Sequence, residues 1–234
     1  MLLEHRFSNI RRTRVLFQWR ASDRFQTARD PYTIVQNPAR RMPQLSMRSR
    51  FLIEAVKSVK LEIEVLRLDT PKFGGDSGAG FSLLRDEAAM ISVAFGRHWD
   101  GNIYATLRSD DGLRIRKEII ECAADRRLRF AHAVIHLELA SNRVVARIKL
   151  GNTKHRLIGP PLDVDFARVQ VDIGSTRPDS VNLILRPTMI AVDGAKSRSS
   201  LPGHSNTGFV FRTLALTFAV VVLVLSRLRQ HLRR

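Results

Sequence analysis

The sequence predicts an all-β protein: an antiparallel β-sandwich, followed by a C-terminal hydrophobic segment that reads as a transmembrane helix. Three observations carry that expectation. The first is residues 130–150, FAHAVIHLELASNRVVARIKL. Ala131, Ala133, Ile135, Leu137 and Leu139 alternate there with His132, Val134, His136 and Glu138. After the polar Ser141-Asn142, Val144, Ala146, Ile148 and Leu150 alternate with Val145, Arg147 and Lys149. Period-two alternation on both sides of a turn describes a hairpin with one buried face. The second is that such alternating runs recur between residues 50 and 194 with no helix-period segment among them. The third is the placement of charge. Of the net +17, residues 1–50 carry +8 and residues 195–234 carry +7, leaving +2 for the stretch between.

Residues 1–50 hold eleven arginines against Glu4, Asp23 and Asp30. No uninterrupted apolar run marks a secretory signal peptide. Pro31, Pro38 and Pro43 punctuate a polar stretch, so 1–48 is expected to be a basic, irregular arm. The sandwich is expected over 49–194. Val59, Leu61, Ile63 and Val65 alternate with Lys60, Glu62 and Glu64; the glycine-rich KFGGDSGAG reads as a loop before Phe81-Ser82-Leu83-Leu84. Ile91, Val93 and Phe95 share one face, as do Ile103, Ala105 and Leu107. Asp110-Asp111-Gly112 and Gly151-Asn152 supply turns. Val169, Val171 and Ile173 form a later strand ending at Gly174. Val181, Leu183 and Leu185 precede Pro187, and Met189 to Val192 closes the set. Ten to twelve short strands, each with one apolar face, call for a two-layer or closed architecture. Cys122 is the sole cysteine, so no intrachain disulfide and no cysteine metal cluster can form.

A glycine-rich turn into GAGFSLL, an Ile-Ser-Val strand, a Tyr-containing strand, the pair HAVIHLELASNRVVARIKLG, then VQVDIGS and a closing IAVDG resemble the concanavalin A-like jelly roll. That superfamily includes lectins, β-glucanases and laminin-G-like modules. The resemblance spans about residues 50–194 and implies a jelly-roll sandwich whose concave face or loops take carbohydrate.

Catalytic motifs fail one by one. The glucanase branch uses Glu-x-Asp-x-x-Glu to bring a nucleophile and an acid/base carboxylate onto one sheet face. The nearest string is Glu62-Ile63-Glu64-Val65-Leu66-Arg67, which has Arg67 in the acid/base position. Gly75-Asp76-Ser77-Gly78 is similar to the nucleophile loop of chymotrypsin-like proteases, yet upstream of Ser77 the only histidine is His5. His132, His136 and Glu138 share a strand face, where alternate residues stand too far apart to converge on one metal. No enzyme is therefore expected. The competing expectation is a glycan-processing enzyme with displaced carboxylates, for which Glu118, Glu121 and Glu138 are the clustered acids.

The candidate ligand-binding residues are Trp99, Asp100, Asn102 and Tyr104, with Asp110 and Asp111 in the next loop. An aromatic ring offers apolar area with a polar handle, which suits a sugar. No cofactor and no metal are expected; the resemblance allows calcium on such carboxylates, but no metal-binding motif accompanies them.

Residues 195–208, AKSRSSLPGHSNTG, form a small-residue polar linker. Within it Leu201-Pro202-Gly203-His204-Ser205 is similar to a sortase motif but lacks its Thr-Gly cleavage pair. Residues 213–226 carry no charge and are dense in Val and Leu. Counted as 209–227 the run reaches the length of a short membrane span. Arg212 can snorkel, and residues 228–234 form a basic tail. The functional expectation is a membrane-anchored, non-catalytic binding module for carbohydrate or protein. Nucleic acid is not expected as a partner, because no basic stripe is evident in the neutral middle.

Overall fold

The computed structural model describes residues 2–21, 34–35, 44–70, 76–86, 88–109, 115–121, 127–175 and 183–195, with the backbone alone over 115–130. They build β1 (Leu2–Arg6), α1 (Ile10–Leu16), β2 (Phe17–Ala21), β3 (Ile34–Val35) and β4 (Gln44–Ser49). Next come β5 (Ile53–Asp69), β6 (Asp76–Arg85), β7 (Ala88–His98), β8 (Ile103–Ser109) and β9 (Ile115–Glu121). The set ends with β10 (Arg127–Ala140), β11 (Arg143–Leu150), β12 (Thr153–Gly159), β13 (Phe166–Ser175) and β14 (Leu183–Ala195).

Every pairing is antiparallel. In the first sheet β5 lies between β14 and β10, followed by β11 and β12, while β1 and β3 share the far edge of β14. The second sheet runs β2-β4-β13-β6-β7-β8-β9. Strand β13 joins the two: Phe166 and Ala167 pair with β5, and Arg168 onward pairs with β6. The alternation seen in the sequence sets which side faces in. Leu61, Ile63, Ile135 and Ala146 of the first sheet share one core with Phe81, Leu83, Val93 and Phe95 of the second. Each such buried side chain contributes roughly 1.5–3 kcal/mol. The predicted hairpin is present, with Leu139 opposite Val144 and Ala133 opposite Leu150.

Three expectations are corrected. The arm over 1–48 is not irregular in its described residues. Leu2 to Arg6 pair with β14, and β2 and β4 extend the second sheet. Phe7 and Phe17 are buried with ring centroids 5.7 Å apart, and Phe17 meets Phe51 at 6.2 Å. Among the described side chains Arg6, Arg11, Arg12, Arg14 and Arg50 are exposed, and their number concealed the apolar pattern between them. The glycine-rich stretch is not wholly a loop either, since Asp76 to Gly80 belong to β6. Finally, the two runs around Pro187 form one strand. Pro187, which cannot donate to the ladder, stands opposite Ile63, and the register shifts just after it, between Pro187 and Met189.

Among the described residues no helix is long and apolar enough to cross a membrane. The expected span 209–227, with its linker and basic tail, lies outside those residues, as do Cys122 and Val181.

The N-terminal segment carries a pH dependence. His5 is 1 % exposed, and its Nε2 lies 2.6 Å from the Thr13 hydroxyl. That hydroxyl donates to the Asn9 carbonyl at 2.8 Å, so the imidazole donates through Nε2. Its Nδ1 is buried without a partner. Burial, and then the charge of Arg12, push the His5 pKa below its ordinary 6.5. The unfolded chain therefore takes up a proton first, and stability falls as pH drops below about 6.5. The amide protection factors of β1, corrected for the intrinsic pH dependence of exchange, should fall between pH 7.5 and 5, and His5→Gln should flatten that dependence.

Candidate functional site

The face of the second sheet turned away from the core holds an open groove of about 590 Å³. Its floor is low because the outward positions of the two central strands are small: Gly78, Gly80 and Ser82 on β6, Ser92, Ala94 and Gly96 on β7. The two glycines are required. A Cβ on Gly78 would stand 2.1 Å from the Phe95 carbonyl oxygen, and one on Gly80 would stand 2.3 Å from that of Val93. Ser82 and Ser92 pair their hydroxyls across the floor at 2.8 Å.

Polar walls rise on either side. Tyr104, Thr106 and Arg108 come from β8, and Asp172 from β13. The Asp172 carboxylate is held by its neighbours. Ser46 donates to Oδ1 at 2.7 Å, and the Gln170 amide donates to both oxygens at 3.0 and 3.1 Å. Arg48 in turn fixes Gln170 by donating to Oε1 at 3.0 Å.

The turn between β7 and β8 closes one end. Gly101, at φ +87°, adopts the left-handed backbone that the turn demands. Asp100 organises it: Oδ1 accepts from the Asn102 amide at 2.8 Å and Oδ2 from the Tyr104 hydroxyl at 2.6 Å. Partial burial alone would raise the Asp100 pKa. The Tyr104 and Asn102 hydrogen bonds, aided by His98, outweigh it and hold the carboxyl below its usual range. His98 pairs with Asp76 through Nδ1, meets the Tyr104 ring edge-on at 5.8 Å and lies 5.5 Å from Trp99. Trp99 is 41 % exposed, an uncommon fraction for so large a ring. Beneath the turn, Arg97 is fully buried; it donates to the Leu68 carbonyl at 3.0 Å and to the Gly101 carbonyl at 3.1 Å. The turn is thereby fastened to β5.

Four of the sequence candidates, Trp99, Asp100, Asn102 and Tyr104, thus meet in one turn at the groove's end. Asp110 and Asp111 lie outside the described residues. Asp76, His98, Arg97 and Asp172 were missed. His98 adjoins Trp99 and could have been included on that ground. Asp76 and Asp172 reach the groove only through strand register, which no local pattern reveals.

The displaced-carboxylate set does not share a sheet. Glu118 and Glu121 are on β9 at the edge of the second sheet, while Glu138 is on β10 of the first, paired with Arg147. That guanidinium, by hydrogen bond and charge, keeps the Glu138 pKa below the usual range. Glu62 and Glu64 also belong to the first sheet's outer face, engaged by Lys60 at 2.6 Å and Arg186 at 3.1 Å. Arg67 pairs with Asp69 at 2.6 Å. Among the described residues no three His, Cys, Asp or Glu side chains are grouped to hold a metal. Calcium asks for six to eight oxygens. The turn does not fit it, because both Asp100 oxygens are occupied and Asp76 is on His98.

Two antiparallel sheets sharing one core, linked at a corner by a strand that serves both, are the concanavalin A-like lectin/glucanase fold. The structure is similar to a legume lectin-like domain from Entamoeba histolytica, with a TM-score of 0.57 and 10% identity over 83% of this chain and 97% of that one. It is similar also to lectin UEA-II complexed with galactose (TM-score 0.55, 10% identity, 82% and 97% covered). A third neighbour is the exoplasmic/lumenal domain of VIP36 in a form bound to Ca2+ and Man2, with a TM-score of 0.51, 10% identity, and 81% and 85% covered. No protein-family model matches the sequence, and no curated protein is similar to it in sequence.

Proposed function

We propose that this chain is a carbohydrate-binding module that takes a sugar into the groove of the second sheet without cleaving it, and that its C-terminal segment anchors it to a membrane. One observation carries the binding reading. A small-residue floor lies between Tyr104, locked by Asp100, and Asp172, held by Ser46 and Gln170. Fixed polar groups beside a tyrosine face are what a polyhydroxylated ring needs for orientation and contact. The lectins among the structural neighbours support the same reading, UEA-II by its galactose complex. The non-catalytic reading is supported by Arg67 in the acid/base position and by the ion pairs that occupy Glu62 and Glu64 on the other sheet.

A glycan array followed by titration calorimetry of the full chain in neutral detergent tests the proposal. Tyr104→Ala should weaken binding of the best glycan about tenfold, roughly 1.4 kcal/mol. An unaltered affinity would remove Tyr104 from the site; no retained glycan at all, or sugar fragments released on incubation, would overturn the reading.

The anchor is tested separately. Full-length protein should stay in the membrane pellet through an alkaline carbonate wash, and a chain ending at Gly208 should not. Equal release of both would dismiss the transmembrane segment.

A further inference from the structure

The outer face of the first sheet breaks a rule of strand pairing twice within a few ångströms. Arg147 on β11 stands directly opposite Arg156 on β12, and two residues on, Lys149 stands opposite Lys154. Paired positions lie about 5 Å apart and alternate residues about 7 Å apart, so four cations mark the corners of a small rectangle. Like charges directly opposite one another destabilise a sheet. Departures from local preference of this kind are expected where function demands them.

The neighbours cancel that charge only in part. Lys60 and His136 extend the Arg147–Arg156 row across β10 to β5. Glu62 pairs with Lys60 and Glu138 with Arg147. Among the described residues no carboxylate forms an ion pair with Lys149, Lys154 or Arg156. Burial, followed by the charge of Arg147, lowers the His136 pKa, which agrees with a positive surrounding. Lys60, His136, Arg147, Lys149, Lys154 and Arg156 border one shallow depression of about 550 Å³ on the outer face of the first sheet.

We infer that this face docks on an anionic lipid surface. Two features select that partner among polyanions. The array lies on the open face of a sheet around a shallow depression, so it suits a broad, planar distribution of charge. Its lining holds no Trp, Tyr or Phe on which a sugar or an unpaired base would stack. Each Lys or Arg brought to an anionic bilayer strengthens attachment by roughly fivefold. The inference adds to the proposed anchor but does not need it, because a charged face acts on anionic lipid whether or not the tail inserts.

Lysine footprinting of the full chain separates the two. The protein is mixed with vesicles of phosphatidylcholine alone or with about a third phosphatidylserine, floated, and treated with a water-soluble acylating reagent. Flotation with neutral vesicles reports the tail. The sheet face is reported by Lys149 and Lys154, whose acylation should slow at least fivefold on the anionic vesicles and recover in high salt. Lys57 serves as an exposed reference. K149E/K154E should lose phosphatidylserine-dependent flotation, or, if the tail alone floats the chain, should leave the acylation of Lys60 equal on both vesicles. Equal acylation of Lys149 and Lys154 on the two vesicle types overturns the inference. So does protection by duplex DNA or a sulfated polysaccharide that anionic vesicles fail to reproduce.

Discussion

Gly78→Val is expected to destabilise the domain by roughly 3 kcal/mol or more. A Cβ there would stand 2.1 Å from the Phe95 carbonyl oxygen and 2.6 Å from the Gly96 Cα, both main-chain atoms. No rotamer change relieves such a clash; β6 must separate from β7 over a stretch where they pair residue by residue from Asp76 to Leu83. The strands flanking this pair, β13 and β8, depend on it for their own registers. Urea unfolding followed by tryptophan fluorescence should show a midpoint well below that of the unaltered protein. Gly96→Ala provides the contrast. Its nearest atom would lie at 3.2 Å, so a small adjustment suffices and the midpoint should move much less. Equal effects at the two positions would mean that the close approach at Gly78 is absent in solution.

Arg97→Met should cost on the order of 2–4 kcal/mol, chiefly through groups the arginine leaves behind. Methionine fills most of the space but donates nothing to the carbonyls of Leu68 and Gly101. Buried acceptors without partners carry their full desolvation penalty. The damage should not stop at stability. Arg97 fastens the turn that presents Trp99 and Asp100, so the ring of Tyr104 should lose its fixed position. The expected result is a lower unfolding midpoint together with weaker binding of any glycan ligand identified for the unaltered chain. Arg97→Lys should recover part of both, since an ammonium can still reach one carbonyl. Were Arg97→Met as stable as the original, the buried guanidinium would have no fastening role.

What the sequence revealed follows from how far apart the cooperating residues are. Strands β10 and β11 were legible because their partners are joined by two residues and alternate cleanly. Asp100 and Tyr104 could be grouped for a similar reason, being four residues apart, but the hydrogen bond that joins them emerges only from the structure. Asp172 was not legible, because its approach to Gly80 depends on the pairing of β13 with β6 across some ninety positions. The glycine-rich stretch misled in a different way. Glycine permits both turns and close strand contact, and composition alone does not say which use applies. At the N-terminus, arginines outnumber the buried Phe7 and Phe17 enough to suggest a solvated arm. Only their pairing with β14 and β4 shows that those two aromatics belong to the core.

The pairing of β1 with β14 has a consequence for how the protein is made. Leu2 meets Asp193 and Arg6 meets Met189, so β1 leaves the ribosome long before the strand it pairs with. Strand β5 waits as well, since one of its flanks is β14. At 5–20 residues per second, that wait is roughly 10–40 s. Contacts of such long sequence separation form slowly even in the released chain. Throughout that interval the backbone donors and acceptors of β1 and of one side of β5 lie open to any other extended segment nearby. Chaperones should therefore bind a nascent chain of this protein until residue 195 has emerged, and shortening it before β14 should yield aggregates in place of a smaller folded domain.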